Sequence, residues 1–99
     1  MERMTYEYEA GPSAPRRALT GVVGSGDLEV LLEPLPAGRS TIVITTSVNG
    51  MGRRWESLLQ RMFADAALPA ARIEINDCGA TPGVVRLRIE QAFEEAARP

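Results

Sequence analysis

Ninety-nine residues, 44% of them hydrophobic and 24% charged, have the composition of one globular domain, with roughly 60–65% of the unfolded surface buried and little room for a deep catalytic cavity. A net charge of −2 excludes the basic footprint of a nucleic-acid binder. The chain holds neither histidine nor lysine, which removes Ser-His and Cys-His nucleophile pairs, Schiff bases, and biotin or lipoyl groups carried on lysine.

No apolar run approaches the ~20 residues of a membrane span, and the N-terminus has no signal-peptide h-region. The single cysteine, Cys78, cannot form an internal disulfide, so a reducing cytoplasm is the expected compartment.

Along the chain, Met4, Tyr6, Tyr8 and Ala10 alternate with Thr5, Glu7 and Glu9, which predicts a half-buried first strand. Gly11-Pro12-Ser13-Ala14-Pro15 breaks it as a loop. Arg17 to Val23 reads as a second strand, weakened or bulged near Gly21. In the third, Leu28, Val30 and Leu32 face one way and Glu29, Leu31 and Glu33 the other, and the strand stops at Pro34 and Pro36. Ser40 to Val48 is rich in β-branched residues and predicts a fourth strand, with Ile42, Ile44, Thr46 and Val48 on one face. Asn49-Gly50 resembles a hairpin turn, but the helical spacing that follows it argues against a hairpin.

Trp55, Leu58, Leu59, Met62, Phe63 and Ala66 form one apolar stripe, which predicts a helix of about four turns. Arg53, Arg54, Glu56, Gln60, Arg61 and Asp65 fall on its wetter side, and Trp55 is read as core. Arg72 to Asp77, after Pro69, is a short strand with Ile73 and Ile75 inward. Thr81 is placed to cap a last helix with Pro82 at its first position. That helix carries Val85, Ile89, Ala92, Phe93 and Ala96 inward, with Arg86, Arg88, Glu90, Glu94 and Glu95 outside. The order ββββαβα predicts a single α+β domain over residues 1–99: a mainly antiparallel sheet of about five strands with two helices packed on it.

Between the second and third strands stands Val23-Gly24-Ser25-Gly26-Asp27-Leu28-Glu29. Glycine lacks a Cβ, so both neighbours of Ser25 can take positive φ and the backbone can bend tightly around it. A hydroxyl on such a narrow turn suits a serine that enters another enzyme's active site and carries something large. Gly-Ser-Gly is also an ordinary turn sequence, and spacing alone leaves both readings open. A hydrolase nucleophile elbow needs glycines two residues before and after its serine; Val23 and Asp27 stand there instead. A P-loop would need a lysine. Asp27, Glu29 and Glu33 suggest a metal site, but Glu29 and Glu33 read as the solvated face of a strand. Cys78, beside Asp77 and without a basic neighbour in sequence, is read as structural. Ordinary acyl carriers are four-helix domains with an Asp-Ser-Leu motif opening a helix, which the strand pattern around Ser25 excludes.

Gly21-Val22-Val23-Gly24-Ser25-Gly26-Asp27-Leu28-Glu29-Val30-Leu31-Leu32-Glu33-Pro34 resembles the modification segment of the acyl carrier (δ) subunit of malonate decarboxylase. The likeness continues in Thr45-Thr46-Ser47-Val48-Asn49-Gly50, in Arg54-Trp55, and in Asp77-Cys78-Gly79-Ala80-Thr81-Pro82-Gly83-Val84-Val85-Arg86-Leu87-Arg88. These separated blocks match in order over nearly the whole chain. The resemblance implies a non-catalytic carrier whose phosphoribosyl-dephospho-coenzyme A arm is joined through a phosphodiester to Ser25 and bears acetyl and malonyl thioesters. It implies as partners the acyl-transferase and decarboxylase subunits of the complex, a malonyl-loading transferase and an arm-attaching transferase, with no metal, nucleic acid or membrane. Beside it stand a non-covalent adaptor or assembly subunit, a phosphorylation switch at Ser25, and the carrier of a related lyase, citrate lyase, which uses a similar arm.

Overall fold

The computed structural model describes residues 1–64 and 68–99. Among them the chain forms β1 (Glu2–Glu9), β2 (Ala18–Gly21), β3 (Leu28–Pro34), β4 (Arg39–Thr46), α1 (Gly52–Phe63), β5 (Ala71–Asp77) and α2 (Pro82–Ala97), the predicted order. The strands lie in one sheet in the order β1-β4-β5-β3-β2. Only β4 and β5 run parallel; the other three pairings are antiparallel. A parallel neighbour cannot be reached through a hairpin, and α1 supplies the crossover between β4 and β5. That is the physical reason Asn49-Gly50 introduces a helix.

Strand pairing converts period-two patterning into rows across the sheet. Tyr6, Ile42, Ile73, Leu32 and Ala18 form one row, and Met4, Ile44, Ile75, Val30 and Thr20 the next. The Ile, Leu and Val side chains of both rows are fully buried, each contributing about 1.5–3 kcal/mol of transfer free energy. α1 adds Trp55, Leu59 and Phe63 to this core, and α2 adds Val85, Ile89, Ala92 and Ala96. Phe63 stacks on Tyr8 at 5.3 Å and meets Phe93 edge-on at 6.0 Å, which ties β1, α1 and α2 together. The Thr81 hydroxyl accepts the Val84 N–H at 3.3 Å, the predicted cap.

Several boundaries differ from the sequence reading, among them that of β4, which ends at Thr46 and leaves Val48, predicted on the face of Ile42 and Ile44, exposed. β2 begins at Ala18 and stops at Gly21, whose φ of +73° turns the chain outward. Val22 and Val23, predicted to extend that strand, are instead exposed. α1 ends at Phe63, and the predicted stripe position Ala66 and outer position Asp65 lie outside the described residues. Val43, on the face opposite Ile42 and Ile44, is nevertheless buried, flanked by its register partners Thr5 and Glu74. Among the described residues no helix is long and apolar enough to cross a membrane.

Candidate functional site

Gly24 to Asp27 forms a four-residue turn closed by the Asp27 N–H donating to the Gly24 carbonyl at 3.0 Å. Ser25 holds the second position and is exposed; Gly26 holds the third with φ +75°. A turn with positive φ at its third position is sterically natural only for glycine. Gly24 lies outside the left-handed region, so one of the two flanking glycines uses the freedom that both offer. A Cβ at Gly26 would meet no heavy atom within 4 Å, and one at Gly24 would make only an ordinary contact with Val22. The space around the Ser25 hydroxyl is open.

The turn is exposed but not loose. Gly26 N–H donates to the Cys78 carbonyl at 2.8 Å, and Cys78 N–H donates to the Asp27 carbonyl at 2.9 Å, extending the β3–β5 ladder into the loop. The Asp27 carboxylate accepts the Leu28 N–H at 2.7 Å. It also receives a fork from Arg88 on α2, Nε to Oδ1 at 3.1 Å and Nη2 to Oδ2 at 2.9 Å. Two parallel charge-assisted bonds fix orientation as well as distance. The Arg88 guanidinium, and after it the Leu28 amide, hold the Asp27 carboxyl below its usual range. Arg88 was expected on the outer side of α2; it stands on the flank facing β2 and β3, and its carbonyl accepts the Thr20 hydroxyl at 2.7 Å.

Asp77 anchors the other side. It is buried, with Oδ2 accepting from the Thr46 hydroxyl at 2.8 Å and the Gly79 N–H at 3.2 Å, and Oδ1 accepting from the Ala80 N–H at 3.0 Å. These bonds shape the loop whose Cys78 backbone clamps the turn. Cys78 therefore works through its main chain, in keeping with the structural reading. Gly21 sets the approach from β2: a Cβ there would lie 1.9 Å from the Leu28 carbonyl oxygen.

Of the acidic trio weighed from sequence, Asp27 is taken by Arg88, while Glu29 accepts from Asn76 Nδ2 at 3.2 Å on the other face. Among the described residues no three acidic, cysteine or histidine side chains are grouped to hold a metal ion. Sequence reasoning missed Arg88, which lies 61 positions from Asp27, a separation with no local periodicity to announce it. It also missed Asp77, although an aspartate two residues before a glycine is a recognisable turn signal.

A small α+β domain that holds an exposed serine turn from two sides suits a carrier. Residues 15–96 match the family model of the malonate decarboxylase delta subunit. The chain belongs to that family, the acyl carrier proteins of malonate decarboxylase. It is 62% identical over 96 residues to the malonate decarboxylase acyl carrier protein of Pseudomonas paraeruginosa, with 97% of each chain covered. It is 60% identical over 97 residues to that of Azotobacter vinelandii, with 98% of each covered. It also superposes, with TM-score 0.95 and 55% identity, on a chain in the crystal structure of a Pseudomonas malonate decarboxylase hetero-tetramer in complex with malonate, covering 98% of this chain and all of that one.

Proposed function

We propose that this chain is the non-catalytic acyl carrier subunit of a malonate decarboxylase complex and that Ser25 bears its covalent arm, a phosphoribosyl-dephospho-coenzyme A joined through a phosphodiester. The observation that carries this reading is the Ser25 turn itself: an accessible hydroxyl whose backbone is held by Cys78 and whose next side chain but one is held by Arg88. The residues present fit such a group, because Ser25 is exposed and a Cβ added at Gly26 would meet no heavy atom within 4 Å apart from those of its chain neighbours. When bound, the arm supplies a thiol on a long tether that takes acyl groups as thioesters.

The chain's own contribution is presentation. The held turn presents Ser25 on a set backbone, so an attaching enzyme need not order a flexible loop, which lowers the entropic cost of docking. Asp27, the nearest carboxylate in sequence, is engaged by Arg88 and Leu28 and is a poor base, so the proton of Oγ is removed by a base of the attaching transferase. A tethered acyl group meets each partner at high effective concentration, and the acyl-transferase and decarboxylase subunits supply the chemistry. Assembly with partner subunits is supported by the hetero-tetrameric setting of the solved relative.

Intact mass of the protein from its native source tests the proposal. A gain far above the ~80 Da of a phosphoryl group, mapped to the peptide containing Ser25, is expected. No gain would return Gly-Ser-Gly to a plain turn.

A further inference from the structure

At the end of the sheet that carries Ser25, the first turns of α1 and α2 and the loops after β4 and β5 leave a cleft of about 190 Å³. Its walls are mainly apolar, with Trp55, Leu58, Ala80 and Val85 among them. Gly79 is on the same wall and follows Cys78, whose carbonyl holds Gly26. Ser25 and this wall are thus three steps apart, two along the chain and one across a hydrogen-bonded pair, or roughly 13 Å at most.

We propose that this cleft seats the adenosine portion of the arm, with Arg54 at its rim facing the diphosphate; the inference rests on the carrier reading above. The ligand class follows from three features. An apolar slot bordered by an indole edge suits a flat heteroaromatic ring. Arg54 borders the cleft, is exposed, and makes no ion pair among the described residues. The start of α1 has no side-chain cap, so its positive end favours an anion, and the carboxylate bonded beside it, Glu2, accepts the Gly50 N–H at 2.6 Å. Asp77 also borders the cleft, but both its oxygens are occupied by Thr46, Gly79 and Ala80.

Reach and purpose select the adenosine over the thiol end. The adenosine follows directly on the phosphoribosyl link to the serine and is within reach of the cleft, whereas the thiol end would have to double back. A seated acyl thioester would be withheld from the partners. A seated adenosine shortens the mobile tether and raises the effective concentration of the thiol at a docked partner.

Trp55 is the only tryptophan, so its emission reports on the cleft directly. Full-length Ser25→Ala protein, titrated with 3′-dephospho-coenzyme A, is expected to show a saturable change in emission, and none with pantetheine. Arg54→Ala weakens the response roughly twofold to fivefold, the range for one exposed charge pair. Ala80→Leu, which narrows the cleft, removes the response; if that variant does not fold, the Arg54→Ala titration decides. Wild-type protein carrying the arm differs in emission from wild-type protein without it. Protein whose mass places the arm on Ser25 but whose emission matches the unloaded form overturns the seat and leaves the carrier reading intact. Protein that never acquires the arm overturns the carrier reading instead. An equal response to pantetheine also overturns the proposal, since it would put the thiol end in the cleft.

Discussion

Ser25→Ala removes one oxygen from an exposed position and keeps a Cβ of the same hand, so the turn persists and stability moves by no more than ~0.5 kcal/mol. Melting is expected to be nearly unchanged while the mass gain disappears; retention of the gain would place the arm elsewhere. The glycines separate by their surroundings. At Gly26 an added Cβ finds open space but sits at φ +75°, so Gly26→Ala costs about 1–2 kcal/mol from backbone strain alone. At Gly21 the same strain is joined by a Cβ only 1.9 Å from the Leu28 carbonyl, a backbone atom that moves only with β3. Urea unfolding is expected to rank Gly21→Ala well below Gly26→Ala. Asp27 adds a pH dependence. Its carboxyl is held below the ordinary value of 3.8, so its pairing with Arg88 stabilises the fold fully above that value. The contribution fades as pH falls through the lowered folded value. The stability difference between wild type and Asp27→Asn should be flat from pH 7 to about 5 and shrink below pH 4; a difference that persists into strong acid would show that the pair does not titrate as one.

The cap of α2 was the most legible feature, because its chemistry is local. Thr81-Pro82 starts α2 where it was expected, and Thr81→Ala should cost about 1 kcal/mol, measurable by denaturant midpoint at unchanged m-value. The four strands before α1 and the stripe of α2 were equally readable, since alternation and 3.6-residue spacing register burial residue by residue. Boundaries governed by contacts across the sheet were not. Val22 and Val23 have strand propensity, yet β2 ends before them, because Gly21 takes φ +73° and turns the chain out of the strand. The site divides in the same way. The exposed turn at Ser25 and its need for Gly26 were visible in three consecutive letters. The clamp from Arg88 and the buried Asp77 depend on α2 and β5 folding back beside β3, and no spacing along the chain encodes that meeting.

The end of the sheet around Ser25 behaves as one hydrogen-bonded unit, and Asp77 is its hub. Its carboxylate serves Thr46 at the end of β4 and two amides of the loop that leads into α2. The same loop delivers the Cys78 carbonyl to Gly26. Asp77→Ala leaves the buried Thr46 hydroxyl and two part-buried main-chain donors without their acceptor, a loss on the order of 3 kcal/mol. A merely local loss would end there. Because Cys78 lies inside that loop, the Ser25 turn should loosen as well, although no atom of Asp77 bonds to it. Amide hydrogen exchange resolves the two effects. In the wild type, the hydrogen-bonded Gly26 and Cys78 amides are expected to exchange slowly and Ser25, exposed at the tip, fast. In Asp77→Ala, Gly26 and Cys78 are expected to lose more protection than the core amides of Ile73 and Ile75. Thr81→Ala, which weakens α2 without touching the loop's carboxylate, should lower all four together. Gly26 protection that falls only in step with Ile75 in the Asp77→Ala protein would mean that the turn is held by Arg88 alone.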